Sequence, residues 1–194
     1  MKRAIYTLTV GLVLAGVVHI LIILLIPSYA ERDAWAKLAE LGEPWNFSIV
    51  ALPGKQSSNN LPLVDPMFGV AACRFNLAES PLIVETTGGV PFWSVAVFDR
   101  LGRNVYSFND RTAIEKQLFM IVVDPVQMAR LRKDPPEETE RAVLIESAIT
   151  EGYILIRGLQ DETSRSGELL KFLQSARCGR YDLTSSDSES DVEN

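Results

Sequence analysis

The stretch Pro91-Phe92-Trp93-Ser94-Val95-Ala96-Val97-Phe98-Asp99-Arg100-Leu101-Gly102-Arg103-Asn104-Val105-Tyr106-Ser107-Phe108 decides how this chain folds. Trp93, Val95 and Val97 alternate with Phe92, Ala96 and Phe98, so both faces of one extended segment are apolar. A strand of that kind lies inside a sheet with something packed on each side. Asp99-Arg100-Leu101-Gly102 reads as a hairpin turn, with Gly102 free to take a positive φ. On the returning strand Asn104, Tyr106 and Phe108 fall on one face.

Working outward, further strands are expected at Phe47 to Leu52, Val70 to Leu77, Pro81 to Thr86 and Leu118 to Val123. Ala142 to Glu146 and Tyr153 to Arg157 suggest a second hairpin around Thr150-Glu151-Gly152. Glu31 to Leu41 reads as a short amphipathic helix, with Trp35, Leu38 and Leu41 on one side and Gly42 as its stop. Asn109 and Asp110 open a short helical piece, where Thr112 and Glu115 fit a capping box. Asp124-Pro125 caps a helix to about Leu131. A last helix, from about Glu162 to Arg177, carries the stripe Leu169, Leu170, Phe172, Leu173 and Ala176, with Gly179 as its C′ residue. The pattern predicts an α+β domain: a mainly antiparallel sheet of about six to eight strands covered by two or three helices.

In front of this domain stands the uncharged run Tyr6 to Ile26, preceded by Lys2 and Arg3. Its roughly 21 residues make a helix of about 31 Å, the thickness of a hydrocarbon core. Tyr6 and Tyr29 bracket it, as aromatic residues do at headgroup level. Pro27 is expected to end it. Its one ionisable ring is His19, the only histidine in the chain, and Gly11 with Ala15 forms a small-xxx-small pair. Ser28-Tyr29-Ala30 resembles a signal-peptide cleavage site, but the apolar run exceeds the usual length of about 7–15 residues. The reading favours an uncleaved single-pass anchor in the inner (cytoplasmic) membrane, in contact with the bilayer through Tyr6 to Ile26. Lys2 and Arg3 are offset by Arg32 and Lys37, so a periplasmic domain rests on the basic pair's closeness to the span. The chain thus divides into an anchor over 1–30, a domain over 31–182 and a Ser-rich acidic tail over 183–194, expected to be disordered.

All 25 acidic residues follow the span, whereas Lys2 and Arg3 precede it. An acidic domain disfavours nucleic acid and anionic headgroups as partners. It contains no histidine, which removes the usual Ser-His-Asp and Cys-His systems and most transition-metal sites. No phosphate-binding loop or nucleophile elbow is present. No catalytic residue, metal ligand or cofactor is therefore assigned. Cys73 and Cys178 are the only cysteines. Export would invite a disulfide closing a loop of roughly 100 residues; the alternative is two buried thiols.

The polar cluster Arg103, Asn104, Tyr106, Asn109 and Arg111, with Asp110, follows the central hairpin. Two arginines with amide and phenol donors suit an anionic or sugar-like ligand. A purely structural account competes: Asn109 and Asp110 cap a helix, Arg111 pairs with a carboxylate, and Tyr106 packs at a rim.

Three stretches resemble the bacterial family called domain of unknown function 1254: Asp65-Pro66 through Ala72-Cys73-Arg74-Phe75-Asn76-Leu77, the hairpin from Pro91 to Arg111, and Ala176-Arg177-Cys178. The hairpin carries most of the specificity. The resemblance implies a compact α+β domain at the bacterial envelope. It also implies that longer relatives continue into a second, β-rich domain, and it supplies no activity or catalytic residues. Three readings follow: a non-catalytic envelope protein that binds a protein partner, a small-ligand module using Arg103 to Arg111, and a carboxylate-based hydrolase or isomerase.

Overall fold

The computed structural model describes residues 2–54, 65–87, 89–113, 117–161 and 166–183, with the backbone alone for 27–34. The fold is α+β, as the pattern predicts, but its strands form two sheets rather than one. α1 (Lys2–Leu41) is a single 40-residue helix. Pro27 does not end it, and the expected helix from Glu31 is its C-terminal part. Proline removes one intrahelical hydrogen bond and bends the axis, which a helix about 60 Å long tolerates. The first 25 residues of α1, Lys2–Ile26, are long and apolar enough to cross a membrane, and none of that surface is buried against the domain.

Nine strands follow among the described residues: β1 (Ser48–Ala51), β2 (Phe68–Asn76), β3 (Leu82–Thr86), β4 (Trp93–Asp99), β5 (Asn104–Asn109), β6 (Leu118–Val123), β7 (Val143–Glu146), β8 (Glu151–Leu159) and β9 (Arg177–Arg180). α2 (Pro125–Lys133) and α3 (Ser166–Ser175) complete the domain. One sheet has the order β1-β2-β8-β4-β5 and the other β7-β6-β3-β9. All pairings are antiparallel except β6 with β7.

The sheets share one core. Cys73, Val95, Val97, Ile154 and Ile156 meet Leu82, Val84, Leu118, Met120 and Val122 from the opposite sheet. α3 closes one end, where Leu169, Leu173 and Phe172 lie over Gly69 and Gly158. α2 covers the outer face of the four-stranded sheet, packing Met128 and Leu131 on Ile121 and Val123. Its cap is the expected one: Asp124 accepts from the Gln127 N–H at 2.7 Å, and Gln127 Oε1 accepts from the Asp124 N–H at 2.9 Å. β4 is apolar on both faces for a visible reason. Trp93, Val95 and Val97 enter the core, while Phe98 stacks on Tyr153 at 5.2 Å.

Several expectations fail. β7 and β8 do not form a hairpin: β7 pairs with β6, and β8 lies in the other sheet between β2 and β4. The parallel pairing buries Ile145 in the core, and the turn after Glu146 carries the chain across the sandwich. The last helix stops at Ser175, and Arg177–Arg180 is a strand on β3. Cys178 therefore sits on a strand, not at a helix end. Asn109 ends β5 and is followed by a turn rather than a helix; the expected capping box reaches 114–116, outside the described residues. The expected tail over 183–194 also lies outside them except for Leu183, which is not loose but packs against the cluster under α2.

Candidate functional site

The Arg103–Arg111 stretch forms the edge strand β5 of the five-stranded sheet and the turn that follows it. Buried Asp99 closes the β4–β5 turn: its Oδ1 accepts from the N–H groups of Leu101 and Arg103, both at 2.9 Å. Its Oδ2 accepts from Arg103 Nε at 2.6 Å. Burial pushes the Asp99 carboxyl up. The Arg103 hydrogen bonds and positive charge, with the Leu101 N–H, outweigh that and hold it below its ordinary 3.8. Gly102 takes φ 78° and donates to the Asp99 carbonyl at 3.0 Å. Asn104 and Tyr106 lie on β5, the edge strand, with Tyr106 41% exposed. Asn109 Oδ1 accepts from the Arg111 N–H at 3.0 Å, inside its own turn. These five residues are strung along an edge and a turn, and none lines the cleft beside Trp35 or the one beside Phe119.

A second cluster forms where α1 meets the sheet. Two guanidinium groups approach the Trp35 ring, Arg74 at 5.7 Å and Arg100 at 5.5 Å, and the ring tilts against Tyr153 at 6.4 Å. Arg74 donates to the Gly42 carbonyl at 3.0 Å, just past the helix end, while its Nε is buried without a partner. Arg100 pairs with Glu151 at 2.6 Å. Arg180 lies over Trp45 at 5.2 Å and pairs with Glu79 at 2.9 Å. Trp45 holds a left-handed φ of 67°, an uncommon conformation for a bulky residue. Trp35 and Trp45 border a cleft of about 330 Å³. Burial, then the Asp99 charge, raises the Tyr153 pKa above 10.0. The rings are already occupied by the domain's own cations, so this cluster acts as a latch for α1.

A larger cleft, about 660 Å³, opens at the end of the four-stranded sheet between the 3₁₀ turn Glu137–Arg141 and the end of α3. Phe119 lines it, with Gln117 and Gln174 exposed on its walls. Glu85 faces Arg177 at 3.6 Å, and Glu138 and Arg141 come from the 3₁₀ turn. Glu138 accepts from the Tyr181 hydroxyl at 3.5 Å. Burial first, then the charge and hydrogen bond of Glu138, raise the Tyr181 pKa. Ser175 and Thr86 bond each other at 2.8 Å.

Sequence reasoning missed both clusters. Arg74, a lone charge inside the apolar strand β2, was the available signal for the latch, because a charge there needs partners. The cleft had no local signal, since its lining comes from four separated segments. Among the described residues no three His, Cys, Asp or Glu side chains converge as a metal site would require. Cys73 and Cys178 are joined by a disulfide, and no cysteine is free.

No family model matches this chain, and no curated protein matches it in sequence. Its fold is similar to that of the VPA0106 protein from Vibrio parahaemolyticus, at a TM-score of 0.54 and 12% identity, over 78% of this chain and 35% of that one. A weaker likeness, at a TM-score of 0.47 and 9% identity, links it to an uncharacterised protein from Burkholderia cenocepacia, over 85% of this chain and 43% of that one. The chain thus spans about a third of the first of these proteins and less than half of the second.

Proposed function

We propose that this chain is a single-pass inner-membrane protein of a bacterial envelope whose periplasmic domain acts without catalysis, by binding another protein. The observation that carries this reading is continuity. One helix runs from an apolar span with no surface buried in the domain to the Trp35 latch on the sheet. Apolar surface of that extent needs lipid, and a latched helix mounts the domain at a fixed attitude above it.

The partner enters through two further arguments. The fold recurs as about a third of a longer chain, which supports a domain that works beside other protein. The resemblance of the hairpin motif to the domain of unknown function 1254 family supports the envelope setting of such a partner. The edge strand β5, with Tyr106 and nearby Leu101 exposed, is the proposed contact surface, because an edge strand presents unpaired backbone groups.

The test has two arms. In carbonate-washed membranes the full chain should remain as an uncleaved 21.5 kDa species. Protease added to spheroplasts should digest its domain. Release of a shortened chain, or full protection in spheroplasts, sinks the anchoring and the topology. A photocrosslinking residue at Tyr106 should then give one adduct of defined mass, absent when the crosslinker is moved to exposed Lys133. Equal adducts at both positions, or none at Tyr106, remove the partner.

A further inference from the structure

The geometry points to the 660 Å³ cleft as a binding site for a neutral oligosaccharide, separate from the β5 edge and independent of the partner reading. Its volume lies within the range of about 300–1,000 Å³ typical of small-molecule sites. Its charge balance selects against ions, since Arg141 and Arg177 are matched by Glu85 and Glu138. An anion would meet two carboxylates, and a cation two guanidinium groups.

What remains is neutral hydrogen-bonding capacity beside one flat ring. The Gln117 and Gln174 side chains are exposed on the cleft walls and make no hydrogen bond among the described residues. Each amide both donates and accepts, which suits hydroxyl groups that do the same. The carboxylates add acceptors and the guanidinium forks add paired donors. Half-buried Phe119 offers an apolar face to the C–H side of a sugar ring. Thr86 and Ser175 satisfy each other and contribute shape rather than recognition. The cleft is also open to solvent on one side rather than enclosed, so a ligand longer than one ring can extend out of it.

The experiment is calorimetric titration of the full chain with triacetylchitotriose and with maltotriose. A polyoxyethylene detergent is needed, because a maltoside headgroup would compete. At least one neutral trisaccharide should bind in the millimolar range or tighter. The double variant Gln117→Ala/Gln174→Ala should weaken it about tenfold with unchanged thermal stability. Phe119→Leu keeps the apolar volume but loses the flat ring, and it should weaken binding similarly. Absence of binding by both sugars overturns the proposal, as does binding that neither variant alters. Binding of trialanine or inorganic phosphate in place of the sugars overturns the ligand class.

Discussion

Cys73 on β2 and Cys178 on β9 stand on opposite sheets of the sandwich, 6.5 Å apart between Cα atoms and 105 residues apart in sequence, and their disulfide ties the sheets together. Both side chains belong to the shared core. The link constrains the unfolded chain far more than it adds contacts to the folded one. In the chain-entropy model a loop of about 100 residues gives about 4.7 kcal/mol, before native strain is subtracted.

The first prediction follows. Replacing both cysteines with alanine should lower unfolding stability by about 2–4 kcal/mol, read as a lower denaturant midpoint for the full chain. Addition of reductant to the unfolded wild type should produce a similar drop on refolding. A midpoint unchanged in both cases would show that the bridge does not constrain the unfolded state.

The second concerns the seat of α3. A methyl group on Gly158 would stand 2.7 Å from Leu169 Cδ1 and 3.1 Å from Phe172 Cδ1. Those side chains are buried and have little room to retreat. Gly158→Ala should therefore lower stability by about 1–3 kcal/mol. Gly167, inside α3, has nothing within 4 Å of a new methyl group, so Gly167→Ala should be neutral or stabilise by up to about 1 kcal/mol. Thermal melts of the two variants side by side check the contrast, and equal shifts would contradict this packing.

Local pattern carried much of this fold. β6 and the β4–β5 turn were legible because alternation and turn chemistry act over a few neighbouring residues. The cap of α2 was legible for the same reason, as Asp124 and Pro125 are adjacent. The partition into two sheets was not. β7 and β8 look like hairpin partners because they are close in sequence, yet burial of Ile145 beside β6 decides otherwise. β9 was hidden because Ala176 continues the apolar stripe of α3, and only the edge of β3 draws the residues after it into a strand. The site was less legible still. Arg103 looks available in sequence, but Asp99 engages it, while Phe119, Arg141 and Gln174 share a cleft that no spacing reveals.

The third prediction concerns the latch. Trp35→Ala removes a ring in contact with the Arg74 and Arg100 guanidinium groups and with Tyr153. Cation–π and aromatic contacts of this kind are worth about 1–2 kcal/mol together. The domain core does not include Trp35, so its melting temperature should change little. Hydrogen exchange in the last turns of α1, around Leu38 and Leu41, should instead speed up by roughly tenfold. Unaltered exchange there would mean that α1 is held by something other than Trp35.

The last prediction is a pH dependence. The folded pKa of Asp99 lies below its unfolded value of about 3.9. The folded state therefore binds the Asp99 proton less readily than the unfolded chain does. The carboxylate contributes stability that is complete above the unfolded pKa and drains away as pH falls through the folded one. Asp99→Asn keeps the shape but loses the charge-assisted bond to Arg103. Its deficit, about 1–2 kcal/mol, should stay constant between about pH 5 and 8 and close below about pH 4. Tyr153 supplies an independent readout. Burial and then the Asp99 charge raise its pKa above 10.0, so removal of that charge should lower its spectrophotometric titration in the folded protein. The two effects have opposite pH ranges and one origin. A deficit that persists undiminished under acid, with an unmoved Tyr153 titration, would mean that Asp99→Asn acts by distorting the β4–β5 turn rather than through its charge.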